Sequence, residues 1–68
     1  MISARNRIPG TVREIEEGAV NGIVKLDCPG DIGITSTISI EAVKELGLEP
    51  GKTAVAVIKA TSVMIAVD

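Results

Sequence analysis

Arg5 and Lys59 are the two residues around which this 68-residue chain could build a binding site. Arg5 stands among Ser3, Ala4 and Asn6, and Lys59 is followed by Ala60 and Thr61. Guanidinium and ammonium only donate, and the hydroxyls and the amide can donate as well. A buried ammonium without a counter-charge is costly, and Lys59 joins two strongly apolar segments, so an anion would resolve that cost. Ser39 opens a short helix, where backbone N–H groups such as that of Ala42 and the positive end of the helix dipole favour negative charge. Together these groups suit a small dianion. The competing reading is that Arg5 and Lys59 pair with carboxylates of a neighbouring copy and that Ser39 is only a helix cap. Small Ala4 and Ala60 beside the cations favour close backbone approach.

Other chemistry has few candidates. There is no His to serve as a base. The single Cys28 reads as a small buried hydrophobe, and one Cys without His makes neither an internal disulfide nor a zinc site. Glu14, Glu16 and Glu17 read as a solvated face, the usual place of glutamate. Gly51-Lys52-Thr53 lacks the upstream glycine and the following helix of a phosphate loop. We therefore expect no catalysis, no cofactor and no directly coordinated metal.

The elements that must position these groups follow from composition. Ten isoleucines, eight valines and five threonines face only three leucines, and β-branched side chains favour strands. Residues 8–15 form a first strand with a bend or bulge near Gly10, and residues 23–28 a second strand after the Asn21-Gly22 turn. Pro29-Gly30 supplies a tight turn into a third strand over residues 33–38. Ser39 then caps a helix whose Ile40, Val43 and Leu46 share a face, and Gly47 with Leu48 after it ends the helix. Residues 53–58 and 62–67 complete the order βββαββ, which makes the chain an all-β protein with one short helix. The expected architecture is the five-stranded OB-like barrel. The last two strands are apolar on both faces, so both faces need cover. One domain of this size is marginal on its own, and neighbouring copies are the expected cover.

The charge balance of −2 and the lack of any Phe, Tyr or Trp argue against nucleic acid, whose single strands need basic grooves and stacking rings. No apolar run approaches the length of a membrane span and no signal peptide is visible, so the expectation is a cytoplasmic protein.

Four segments carry a resemblance that runs through essentially the whole chain: Ser3-Ala4-Arg5-Asn6, Glu17-Gly18-Ala19-Val20-Asn21, Ile34-Thr35-Ser36 and residues 57–66, VIKATSVMIA. In order and spacing they resemble the molbindins, the Mop family of molybdate-binding proteins, in the free-standing single-domain form spanning residues 1–68. The resemblance implies an OB-like domain that forms a homo-oligomer, a hexamer built as a trimer of dimers, and binds molybdate or tungstate at subunit interfaces. It implies that Ser3 and Arg5 of one subunit meet Ser39, the backbone at Ala42 and Lys59-Ala60-Thr61 of another. A second oxyanion site is implied around Gly18, Ala19, Val20 and Asn21. The implied role is intracellular molybdenum storage or homeostasis; the alternatives are a module for the pterin molybdenum cofactor and a purely structural oligomerisation domain. Molybdate carries no proton at neutral pH, so a site made only of donors suits it, whereas hydrogenphosphate would need an acceptor.

Overall fold

The computed structural model describes residues 5–67. Among them β1 (Asn6–Glu17), β2 (Asn21–Cys28), β3 (Ile32–Ser39), α1 (Ile40–Glu45) and β4 (Thr53–Ile58) follow in the expected order, and a single 3-10 turn, Ala60–Ser62, comes after β4. The strands form one antiparallel sheet in the spatial order β3-β2-β1-β4. The long strand β1 serves two neighbours. Its first half, Asn6 to Thr11, pairs with β4, and its second half, Thr11 to Glu17, pairs with β2. This division curls the sheet into a half-barrel.

The bend in β1 lies slightly further along than the sequence suggests. The β1–β2 register shifts between Val12 and Glu14, which leaves Arg13 as the extra residue of a bulge. Gly10 has a different task. A Cβ there would lie 2.8 Å from the Asp27 carbonyl oxygen and 2.8 Å from Cys28 Sγ, so only glycine lets β1 cross β2 this closely. Gly10→Ala is accordingly expected to cost about 1–3 kcal/mol, read as a lowered midpoint of urea unfolding. Adding Cys28→Ala should restore only part of it, because the backbone oxygen stays in place.

The inward positions carry the core. Val12, Val24, Leu26, Cys28 and Val43 are buried, Val12 being 1% exposed, and Ile8, Ile15, Ile34, Ile38, Leu48, Ala54 and Ala56 pack around them. Cys28 is the small buried hydrophobe expected of it. Helix α1 seats Val43 on the sheet, and both its ends are closed. Ser39 Oγ accepts from the Ala42 N–H at 3.1 Å. At the other end Gly47 adopts φ 63°, its N–H donates to the Lys44 carbonyl, and the Leu48 N–H donates to that of Val43, both at 3.1 Å. That is the Schellman arrangement the Gly-Leu pair announces. The Lys52 ammonium adds a bond of 2.9 Å to the Gly47 carbonyl.

The expected fifth strand is the main difference. Residues 63–67 pair with no strand among the described residues, and Met64, Ile65 and Val67 are 93%, 86% and 92% exposed. After Ile58 the chain tightens into the 3-10 turn, with the Ser62 N–H on the Lys59 carbonyl at 2.8 Å, and does not return along the free edge of β4. The OB-like barrel is thus open by one strand within a single chain.

Candidate oxyanion-binding site

The β1–β4 ladder brings the two principal cations together. The ladder ends at the Asn6–Ile58 pair, and Arg5 and Lys59 are the next residues beyond it on the two strands. Asn6 fastens this end, its Nδ2 donating to the Ile58 carbonyl at 3.3 Å. The 3-10 turn that starts at Lys59 then presents Ala60 and Thr61 beside the same strand ends. Arg5, Lys59, Ala60 and Thr61 are all exposed, so the burial expected for Lys59 is not provided within one chain. Among the described residues neither Arg5 nor Lys59 takes part in an ion pair. The ion pairs present are Arg13–Asp27 at 3.6 Å and Lys25 with Glu14 and Glu16 at 3.5 and 3.7 Å. The acidic run Glu14, Glu16 and Glu17 is the solvated face expected of it, with Lys25 between two of its members.

Sequence reasoning overlooked Arg7. Side chains alternate along a strand, so Arg5 and Arg7 lie on one face of β1, and Arg7, opposite Val57, is exposed. The Arg-x-Arg spacing was the available signal. The adjoining ends of β1 and β4 therefore carry three exposed cations, Arg5, Arg7 and Lys59.

The remaining donors gather at the opposite end of β1. Ser39 pairs with Asn21 in the β2–β3 ladder, next to the Gly22–Glu17 pair that ends β1. The Gly18 N–H donates to the Asn21 carbonyl at 2.8 Å, closing a turn around Ala19 and Val20, and Val20 is exposed. Ser39, Ala42 and Gly18 to Asn21 thus form a second group that no hydrogen bond among the described residues joins to the first.

One sequence expectation is corrected here. The Ala42 N–H is not free, because the Ser39 hydroxyl accepts it, and the Ile40 N–H is taken by the Val20 carbonyl at 2.9 Å. A serine at a helix start satisfies its own helix first. What Ser39 still offers a ligand is its hydroxyl proton. Ser39→Ala should cost about 1 kcal/mol of stability through the lost cap, measurable by urea unfolding. Ser3 and Ala4 lie outside the described residues.

A curled OB-like sheet with clusters of hydrogen-bond donors at the two ends of its longest strand defines a small binding domain. The chain belongs to the TOBE domain family, whose model matches residues 2–65. It is 57% identical over 67 residues to the probable molybdenum-pterin-binding protein of Haemophilus influenzae, covering 98% of this chain and 97% of that protein. The fold is shared with MopII from Clostridium pasteurianum at a TM-score of 0.92 and 43% identity, over 98% of this chain and 100% of that one. A structure of the cytoplasmic molybdate-binding protein ModG with molybdate bound is 57% identical at a TM-score of 0.85, over 88% of this chain and 43% of that one. The molbindin resemblance read from the sequence is the family found.

Proposed function

We propose that this chain binds molybdate, and tungstate by the same chemistry, between copies of a homo-oligomer, and that it serves molybdenum storage or homeostasis inside the cell without catalysing a reaction. The observation that carries this reading is the placement of Arg5 and Lys59 just beyond the last pair of the β1–β4 ladder, near Asn6 and Thr61, two cations with no carboxylate partner among the described residues. Relatives named for molybdenum and the molybdate-bound ModG structure support the choice of ligand. A tetrahedral dianion without a proton needs donors on every side. The Arg5–Lys59 group supplies charge and part of the shell, and the Ser39 group of another copy supplies the rest. The turn from Gly18 to Asn21 is the place of the second oxyanion site. No helix among the described residues is long and apolar enough to cross a membrane, and the ModG relative is described as cytoplasmic.

The name of the Haemophilus influenzae relative favours a second reading, binding of a molybdenum-pterin. A pterin ring needs acceptors as well as donors, and the Arg5–Lys59 cluster contains no carboxylate, the acidic groups nearest to the Ser39 cluster being Glu17 and Glu41. Calorimetric titration with molybdate in excess sulfate, with the oligomer mass checked on the same sample, separates the readings. Saturable heat from a multimer is expected. A stable multimer that gives no heat with molybdate alone would overturn the proposal and leave the pterin and the structural role.

A further inference from the structure

Charge is divided unevenly along the chain. Every Asp and Glu of the described residues lies between Glu14 and Glu49. Residues 5–13 and 50–67 contain none, yet they hold five of the seven basic residues, Arg5, Arg7, Arg13, Lys52 and Lys59. The fold keeps this division in space, because the first half of β1 pairs with β4 and so lays the two acid-free segments side by side as one arm of the sheet. Two of the five cations are engaged, Arg13 with Asp27 at 3.6 Å and Lys52 with the Gly47 carbonyl at 2.9 Å. Arg5, Arg7 and Lys59 are exposed and have no ion pair among the described residues.

Arg7 stands outside the group formed by Arg5, Asn6, Lys59 and Thr61, and its surroundings leave its charge uncancelled. Its ladder partner is Val57, and Val55 follows opposite Pro9; the two valines are 41% and 43% exposed. Two residues of strand put the Arg7 backbone about 7 Å from that of Arg5. That is within the ~8 Å screening length of physiological salt, so an anion approaching Arg5 also feels Arg7. The chain as a whole carries −2, and its acidic part repels a dianion while this arm attracts it, which gives the field a direction.

We propose that Arg7 is a capture residue for the oxyanion: it draws the dianion to the end of the β1–β4 ladder and passes it to Arg5 and Lys59, without holding it once bound. The inference rests on the oxyanion reading of Arg5 and Lys59. It separates their roles in time, since Arg7 acts on association and the residues that touch the ligand set dissociation. A charge acting through solvent at this distance changes association a few-fold and loses its effect as salt shortens the screening length. It makes no use of the planar fork of the guanidinium, so lysine serves in its place.

The test uses the full chain and molybdate. Calorimetry gives the dissociation constant, exchange of the Thr61 amide signal between free and loaded protein gives the dissociation rate, and the two together give the association rate. At about 10 mM salt Arg7→Gln is expected to associate about two- to fivefold more slowly than the parent with an unchanged dissociation rate, and the difference is expected to vanish near about 1 M salt. Arg7→Lys is expected to match the parent. Lys44→Gln removes the same unit charge from exposed α1 and is expected to leave association unchanged. An unchanged association rate in Arg7→Gln would overturn the proposal, and so would equal slowing in Lys44→Gln, which would make the effect one of net charge. Faster dissociation of Arg7→Gln would overturn it as well, by making Arg7 a direct ligand. A parent protein that binds no molybdate would overturn the oxyanion reading itself and the capture role with it.

Discussion

Arg5→Ala and Lys59→Ala are each expected to weaken molybdate binding by about 2–5 kcal/mol, the cost of removing one partner from a buried, hydrogen-bonded charge pair. On the dissociation constant that is a change of roughly 30-fold to several thousandfold. The size of the effect depends on desolvation. Both residues are exposed in the isolated chain, where a cation–anion contact would be worth no more than about 1 kcal/mol. A loss in the upper range therefore reports that a second copy covers the site when the ligand is bound. Arg7→Ala is the internal control, since Arg7 shares the strand face but stands two residues further from the strand end. Its loss should stay below about 1 kcal/mol and shrink as salt is added, the mark of an exposed charge. Titration calorimetry on the three variants and the parent protein checks all of this. Unchanged affinity in both Arg5→Ala and Lys59→Ala would remove the oxyanion assignment.

The local signals in the sequence were legible because short-range chemistry fixed them. Ser39 as a cap, Gly47-Leu48 as a helix stop and Pro29-Gly30 as a turn each depend on neighbours a few residues away. Cys28 is the small buried hydrophobe its type suggests, and Val24 and Leu26 alternate inward with it along β2. The bulge was misplaced, since Gly10 looks like a bulge residue from its lack of a side chain, yet its purpose is set by Asp27 and Cys28 on another strand. The same limit explains the fifth strand. Residues 62–67 have the composition of a strand, but a strand exists only where an edge accepts it, and the chain's own 3-10 turn does not lead there. For the candidate site, spacing singled out Arg5, Asn6, Lys59 and Thr61, and the β1–β4 ladder, which ends at Asn6 and Ile58, brings Arg5 and Lys59 to adjoining strand ends. It did not reveal that the Ala42 N–H is consumed by Ser39, because the donors of a helix start look the same in sequence whether or not the cap has taken them.

Leu26→Ala is expected to cost about 2–5 kcal/mol of folding stability, the range for emptying a well-packed leucine site. Leu26 is 4% exposed on β2, paired with Val12 on one side and Ile34 on the other, and the described core holds only four other buried residues. Its neighbours in the sheet are fixed by ladders on both sides, so collapse into the void is restricted. Total stability near 0.05–0.15 kcal/mol per residue amounts to roughly 3–10 kcal/mol for this chain, so the substitution removes a large share of it. Leu46→Ala is the informative contrast. Leu46 is 62% exposed in the single chain, and its truncation should change stability by no more than about 0.5 kcal/mol if it stays exposed. Urea unfolding at several protein concentrations distinguishes the two kinds of loss. The Leu26 deficit belongs to the fold of each copy, so it persists at every concentration. Stability contributed by contacts between copies would instead rise with concentration by mass action. A Leu26→Ala deficit that vanished at high concentration would mean that assembly, not the half-barrel of a single chain, supplies the packing around β2.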